Sequence, residues 1–385
     1  MKAFAAINLT NADYKSPLLP WLGKAEVVPG KPFAPEFSSA LEDVLRRNAA
    51  VIKFCEQGAR FEWSRYPIQL TNATTPLPHL RDLKNASKVL ALRGLSLANS
   101  GDGKAACENL IETLLLIRSL EREPLGISQI VRSGCFDYAL KELEEIVNRV
   151  SIPEQSRQDL EDVLDRMEKE DADGVHYMRA LTGDRIMWNE FFKMSLADQT
   201  VIFWDGGPDR TRGEMEALLE KNPRSDDLQL INRGLDEIQA RWLQPYPARL
   251  TVSEICSARA REATNLNYLL SAYVFDGANM VDTSVNAEAR GVASLRLAQT
   301  ALALERYRIA HHDSYPQLLS DLVPEYLPKP VLDPFTGKPL QYRRVGKGYV
   351  LQDAVPRSDK LDRWESKKRN SLEFAVIKPP TAAAR

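Results

Sequence analysis

Residues 80–120 read LRDLKNASKVLALRGLSLANSGDGKAACENLIETLLLIRSL, and this stretch decides the fold class. Apolar and small side chains recur every three or four residues, first at positions 83, 86, 90, 94, 95 and 98 and then at 106, 110, 114, 117 and 120. This spacing predicts two amphipathic helices. The tetrapeptide Ser-Gly-Asp-Gly at 100–103 separates them. We therefore predict a pair of helices joined by a tight turn.

The same helix pair resembles one tetratricopeptide repeat. Gly94, Ala106 and Leu110 occupy the positions at which that motif packs its helices closely. Repeats need about three stacked neighbours to bury their faces, and no second copy follows at the expected period of about 34 residues. The chain is therefore predicted to be mainly α, with an irregular helical array that is tetratricopeptide-like in part.

Further helical patterns extend the array in both directions. Residues 1–37 contain five prolines and indicate an extended lead-in, and a helix is expected from residue 38 or 39 to residue 57. Later helices are predicted at 124–149, 153–169, 173–196, 224–243, 252–275 and 284–311, with a turn at 204–211. The array is assigned to residues 38–280.

The pattern changes after Tyr315. Six prolines fall between residues 316 and 339, and short alternating runs at 340–344, 348–352 and 372–377 predict β-strands. The helix before them is expected to hold the tyrosines of the turn, Tyr315 and Tyr326, on an apolar stripe. The stripe consists of Leu295, Ala298, Leu302 and Ile309, widened by Leu297, Ala301 and Leu304. Residues 281–385 are thus predicted to form a small α+β module.

Parts of this module resemble the globular module of type II secretion major pseudopilins. They are ALALERYR at 301–308, the Tyr-Pro pair at 315–316, DPFTGKPLQY at 333–342 and GYVL at 348–351. In that family a long helix leads through Tyr-Pro and an Asp-Pro turn to a small sheet. The whole chain is also similar to large uncharacterised bacterial proteins that place a helical region before this module, usually behind an N-terminal membrane anchor. The resemblance implies an architecture and an association with the cell envelope or secretion, and no established activity.

Two features depart from the pseudopilin pattern. The polar stretch DTSVNAE at 282–288 stands where a pilin subunit needs a strongly hydrophobic helix end, so we do not expect this chain to polymerise as pilins do. Asp353, Asp359 and Asp362 cluster after the second predicted strand, and carboxylate oxygens suit Ca²⁺. Asp359 and Asp362 resemble remnants of the calcium loop of the family, without its glycines. Three basic residues that would repel a cation lie among them: Arg357, Lys360 and Arg363. We therefore expect no cofactor, with Ca²⁺ as the alternative.

Composition and charge exclude several classes of protein. The 385 residues are 44% hydrophobic and 27% charged with a net charge of −2, which excludes a disordered chain and a globally basic nucleic-acid binder. Residues 338–385 carry a net charge of +7 and the first 337 residues carry −9. This asymmetry favours a basic unit that docks on an acidic body of the same chain, and an anionic lipid or nucleic acid is the alternative.

Other sequence signals are weak or absent. The four cysteines, at 55, 107, 135 and 256, form no CxxC pair and are expected to be buried thiols.

No run approaches the roughly 18 apolar residues of a membrane helix, and the start of the chain has no adequate export signal. The sequence contains no HExxH, GxSxG or GxGxxG motif, and GDGKA at 101–105 lacks the first glycine of a phosphate loop.

The densest polar patch of the array surrounds His176. It includes Asp184, Arg185 and Glu190, so a hydrolase-type enzyme with its site there is the alternative hypothesis for function. Because no recognised catalytic set is present, we predict instead a non-enzymatic protein-interaction or scaffold protein. Stacked helices present extended surfaces, so a protein or peptide partner is expected and a nucleic acid is not.

Overall fold

The computed structural model describes residues 7–68, 75–203, 212–221, 224–266, 271, 274–275, 280–354 and 372–377. Within these residues, twelve α-helices precede one three-stranded antiparallel sheet. The prediction of a mainly helical chain with a small C-terminal sheet is therefore confirmed.

The elements are numbered in chain order. The helices are α1 (Pro35–Arg47), α2 (Ala49–Gly58), α3 (Pro78–Asn99), α4 (Gly103–Arg118), α5 (Gly126–Arg149), α6 (Glu154–Ala172), α7 (Val175–Lys193), α8 (Leu196–Phe203), α9 (Arg212–Lys221), α10 (Arg224–Trp242), α11 (Val252–Asn265) and α12 (Met280–Ala310). The strands are β1 (Gln341–Val345), β2 (Gly348–Gln352) and β3 (Glu373–Val376). The turn predicted at 204–211 lies outside the described residues.

The first predicted helix is in fact two helices. Helix α1 begins at Pro35, because proline fits the first turn of a helix, and α2 follows after Asn48. The buried Asn48 side chain donates to the carbonyl oxygens of Val44 and Asn8 and accepts from the Asn8 N–H. The prediction of one continuous helix to residue 57 is wrong, because Asn48 leaves the helical conformation where it contacts the lead-in.

Helices α3, α4, α5, α6 and α12 enclose the main hydrophobic core. Helix α5 lies at its centre and packs against α3, α4 and α12. The apolar positions predicted on α3 and α4 are buried, among them Leu83, Leu90, Leu110 and Ile117 at 0–1% exposure. The helical periodicity therefore identified the core-facing sides of both helices.

A second core forms between α7, α10, α11 and the start of α12, around Trp242 and Phe275. Helix α12 joins the two cores, since Val285 belongs to the second and apolar side chains at 293–304 belong to the main one. Ile309, predicted to lie on the apolar stripe of α12, is 36% exposed. Residues on both sides of position 280 share these cores, and the division into domains stays a prediction.

The sheet has the order β1-β2-β3, and every neighbouring pair is antiparallel. Buried aromatic rings of its inner face, Tyr349 and Phe374, continue the main core. The outer edge of β3 faces α5, where Glu144 accepts from the Ala375 N–H at 2.6 Å. Asn148 accepts from the N–H of residue 377 at 2.9 Å and donates to the Ala375 carbonyl at 2.8 Å. The sheet is therefore attached to the helical part through a strand edge.

Asp333 organises the turn that precedes β1. The buried Asp333 carboxylate accepts hydrogen bonds from the Thr336 N–H at 3.0 Å and the Thr336 hydroxyl at 2.7 Å. Gly337 has a φ of +68°, a left-handed conformation that favours glycine. This turn ends the proline-rich segment 325–337, which contacts α12 where Arg296 donates to the Leu332 carbonyl oxygen.

Candidate functional site

A surface groove runs between α6, α12 and the proline-rich segment. It consists of two cavities of about 620 and 680 Å³. Arg306 of α12 and Tyr326 of the segment line both cavities. The cavities are therefore neighbours, with these two side chains at their common border.

Polar contacts between α6 and α12 border the first cavity. Arg296 of α12 lies 2.7 Å from Glu168 of α6 and donates to the carbonyl oxygen of Leu332 at 2.8 Å. Gln299, one turn further along α12, donates to Asp165 at 2.6 Å. These bonds connect the proline-rich segment and α6 to the same helix. The side chains of Arg296 and Gln299 therefore hold the walls of the cavity together.

Arg306 stands between the two cavities. Its guanidinium lies 5.6 Å from the centroid of the Tyr326 ring and 3.6 Å from the Glu161 carboxylate. The second distance is too long for a direct hydrogen bond. Because the Arg306 side chain is 34% exposed, its charge remains accessible from the groove.

A buried ion pair supports the second cavity. Glu305 accepts hydrogen bonds from the Tyr315 hydroxyl at 2.5 Å and from Arg308 at 2.9 Å, and Arg308 also pairs with Asp313. Burial raises the pKa of Glu305, against the opposing effect of Arg308. Glu305 and Arg308 are nearly inaccessible, at 5% and 2% exposure, so their charges are not available to a ligand in the cavity.

Acidic side chains outnumber basic ones along the groove. Asp165 and Asp173 are exposed at its surface, and Lys329 is the basic residue of the proline-rich wall. Pro328 and Pro330 lack an N–H group, so this wall has few backbone donors. The groove therefore has an excess of acidic side chains, and it favours a ligand that carries cationic groups.

His176 lies apart from this groove, in the first turn of α7. It is 5% exposed, and its Nδ1 is 3.0 Å from the carbonyl oxygen of Glu121. Burial, together with the positive charges of Arg132 and Arg179, lowers the pKa of His176 to about 3. The imidazole is therefore neutral at physiological pH.

The other three residues of the predicted hydrolase site have separate partners. Asp184 accepts from the Gly126 N–H at 3.1 Å, and burial raises its pKa to about 7. Arg185 pairs with Asp236 of α10 at 2.6 Å. Glu190 pairs with Lys193 on its own helix, also at 2.6 Å. The structure thus does not bring these three side chains together with His176.

The predicted calcium ligands are described only in part. The Asp353 carboxylate accepts from the Leu372 N–H at 2.8 Å, and the Asp353 N–H donates to the Leu372 carbonyl at 3.2 Å. This residue therefore joins the end of β2 to the start of β3. Asp359 and Asp362 lie outside the described residues, and the Ca²⁺ alternative stays a prediction.

The four cysteines are buried thiols, as predicted, and none of them is joined in a disulfide. Burial raises the pKa of the Cys55 and Cys107 thiols to about 12 and that of Cys135 to about 11. These thiols remain protonated at neutral pH, and a thiol is a poor nucleophile and metal ligand. Chemistry at cysteine is therefore not favoured at these positions.

Sequence reasoning missed the groove. The sequence pattern predicts that Tyr326 packs on the long helix, and it does not indicate a role for Arg306 or Lys329. A signal is present in the alternation of proline with charged and aromatic residues at 324–330, since such a segment cannot join a sheet and has to lie on a surface. That signal alone does not say which helices the segment faces.

Comparison of the chain with known protein families, curated proteins and solved structures finds no match. Among the described helices, none combines the length and the hydropathy that crossing a bilayer requires. The geometry of the groove is therefore the basis on which a function is proposed.

Proposed function

We propose that this chain is a non-enzymatic protein-interaction or scaffold protein, and that its groove binds an extended, basic peptide segment of a partner protein. The observation that carries the proposal is the pair of adjoining cavities of about 620 and 680 Å³ beside a proline-rich wall. Two adjoining cavities of this kind suit successive side chains of a peptide in extended conformation. The excess of carboxylates suits lysine and arginine side chains.

Both polar and apolar contacts would contribute to binding. A lysine or arginine of the peptide would pair with Asp165 or Asp173, although an exposed ion pair contributes only about 0–1 kcal/mol. The larger part would come from apolar area covered at Tyr326, Leu327 and Val331, which line the first cavity. Binding is therefore expected to be moderate in affinity and sensitive to salt.

The proposal includes a finer architecture. We propose that α3 and α4 form a tetratricopeptide-like pair, which is supported by the short connection between them and the burial of Gly94, Ala106 and Leu110. We further propose that α12 and the sheet form a pseudopilin-like module. The chain order of long helix, Asp333 turn and three antiparallel strands supports this.

The resemblance of the module also leads us to propose an association with the bacterial cell envelope or secretion. Fractionation of native cells tests it, with the chain followed by an antibody. The expected result is enrichment in the envelope fraction and release by high salt or by excess basic peptide. Recovery only in the soluble fraction would contradict the association and leave the groove proposal to its own test.

Fluorescence anisotropy with labelled extended peptides tests the groove. Peptides of equal length that carry basic, neutral or acidic side chains are compared on the full chain. We expect basic peptides to bind best, and the double variant Asp165→Lys, Asp173→Lys to weaken that binding at least tenfold. Asp162→Lys is the matched control, because this exposed residue of the same helix lies outside both cavities.

Two results would count against the proposal. One is equal binding of the three peptide classes, and the other is equal loss of binding in the groove variant and in the Asp162→Lys control. Circular dichroism of each variant verifies that the helices remain folded.

A further inference from the structure

Three potential metal ligands converge where the segment after α4 meets the corner between α6 and α7. They are the imidazole of His176 and the carboxylates of Glu121 and Glu170. Each offers one ligand atom, and these atoms all lie within 4.8 Å of one another. They come from three different parts of the chain, so the fold and not a local motif brings them together.

The His176 ring is held in the orientation that metal binding requires. Its Nδ1 lies 3.0 Å from the backbone oxygen of Glu121. A carbonyl oxygen only accepts, so Nδ1 carries the proton and Nε2 presents its lone pair on the opposite side of the ring. Histidine ligands of metals commonly donate the other ring N–H in this way, which fixes their tautomer.

The lone pair of Nε2 receives no hydrogen bond from any residue that the structure describes. This atom is buried, in a residue that is 5% exposed. It lies 3.7 Å from Oε2 of Glu170 and 3.9 Å from Oδ1 of Asp171. Within the same described residues, Oε2 of Glu170 is itself buried without a hydrogen bond. Nε2 of His176 and Oε2 of Glu170 both carry lone pairs and face each other, so they repel. A cation bound between them would attract both atoms.

The arginines around the site balance its carboxylates without occupying the space between the three ligands. Arg132 is a buried cation beside it, and it is neutralised by Asp171 at 2.5 Å. Arg179 is exposed and donates to the Glu121 carbonyl at 3.0 Å, and Arg122 lies 3.6 Å from the Glu121 carboxylate. Because Arg122 and Arg179 are solvated, they compete only weakly with a metal ion.

We propose that His176, Glu121 and Glu170 bind a divalent transition-metal cation, with Zn²⁺ as the best-fitting probe. One imidazole nitrogen and two carboxylate oxygens suit Zn²⁺, whereas Ca²⁺ and Mg²⁺ prefer oxygen ligands alone. Ligand bonds of about 2.0–2.2 Å require only a small approach of Nε2 and Oε2 from their separation of 3.7 Å. The Glu170 side chain is 39% exposed and provides the entry path from solvent.

Isothermal titration calorimetry of the full chain, stripped of metal and titrated with ZnCl₂ at pH 7.5, tests the site. We expect one ion per chain, and Glu170→Gln to weaken its affinity at least tenfold because the amide is a poor metal ligand. Glu190→Gln is the matched control, since Glu190 is an exposed glutamate that pairs with Lys193 away from the cluster. Co²⁺ in place of Zn²⁺ should give a visible absorption band that Glu170→Gln removes.

A second control addresses surface histidines. His311 and His312 are exposed neighbours at the end of α12 and are the obvious adventitious ligands. The double variant His311→Ala, His312→Ala should bind Zn²⁺ as the unaltered chain does. Loss of binding in this variant, unchanged binding in folded Glu170→Gln, or no binding at all would each overturn the proposal.

Discussion

Gly94 of α3 lies directly against the side chain of Glu142 of α5. A Cβ atom at position 94 would fall closer than 3.0 Å to three side-chain atoms of Glu142, including a carboxyl oxygen. Glu142 is fully buried and accepts from Asn109 at 2.6 Å. The glycine therefore makes room for a buried carboxyl group, in addition to allowing α3 and α5 to approach.

Gly94→Ala should destabilise the protein. The added methyl group has to displace Glu142 from its hydrogen bonds, and overpacking of this kind costs about 1–3 kcal/mol. Chemical unfolding in urea measures the change. Gly134→Ala is the control, because Gly134 is an exposed residue inside α5 and, apart from its chain neighbours and the nearby backbone of its own helix, no described atom lies within 4 Å of the place that the new methyl group would occupy. That control should gain about 0.5–1 kcal/mol from the higher helix propensity of alanine.

The hydrogen bonds of Glu142 indicate that its carboxyl group is protonated. The Thr113 hydroxyl lies 3.0 Å from both the Asn109 carbonyl and Oε2 of Glu142, yet it has a single hydrogen to donate. A proton on Oε2 resolves this, since Glu142 then donates to Thr113 and Thr113 donates to the carbonyl. Burial accordingly raises the pKa of Glu142 to about 8.

Folding stability should therefore fall as pH rises through the neutral range. The folded protein holds the Glu142 proton more tightly than the unfolded chain, whose pKa is near 4.5. This contribution is fully present below about pH 4.5 and is lost as pH approaches 8. Glu144 and Asp184, with pKa values raised to about 8 and about 7, act in the same direction.

Glu142→Gln should make this pH profile shallower, because an amide reproduces the neutral acid and cannot ionise. Urea midpoints at several pH values between 5 and 8 measure the slope. Glu108→Gln, at an exposed position of α4, should leave it unchanged. A Glu142→Gln variant with the slope of the unaltered protein would show that Glu142 is ionised in the folded state.

Asp184→Ala should cost about 1–2 kcal/mol of stability. Helix α5 starts at Gly126, and its N-cap residue, Leu125, provides no side-chain acceptor. Asp184 from α7 fills that role at 3.1 Å. Asp184→Asn retains an acceptor oxygen and should stay close to the unaltered protein in thermal unfolding. Asp236→Ala breaks only an exposed ion pair and should cost less than Asp184→Ala.

The attachment of β3 to α5 can be tested one amide at a time. Asn148→Ala removes the acceptor of the N–H of residue 377, so that amide should exchange its hydrogen faster. Glu144→Ala should instead accelerate exchange at Ala375. Hydrogen exchange followed by NMR gives both rates. Equal acceleration at both amides in both variants would mean that the strand detaches as a unit.

Local patterns predicted the helices because burial along a helix is periodic. Leu83, Leu90, Leu110 and Ile117 reveal their common faces by spacing alone. The end of α1 at Asn48 has a different origin, a hydrogen bond to a residue 40 positions away. No local propensity encodes such a contact, so the predicted helix ran on past it.

The sites were harder to predict for the same reason. The groove depends on the separation of α6, α12 and the proline-rich segment, and spacing within one element carries no information about that distance. His176 stands out in the sequence for the polar residues that follow it. Its carboxylate neighbours in space, Glu121 and Glu170, come from other elements, whereas Asp184 on its own helix serves as the cap of α5.

The covered edge of β3 limits how the sheet can associate. Glu144 and Asn148 occupy that edge, while among the described strands β1 has no neighbour on its outer side. A sheet with two free edges can add copies without end, which is the geometry of a fibre. A sheet with one free edge can pair with only one other edge. Pairing of β1 strands between copies of this chain would therefore stop at a symmetric dimer.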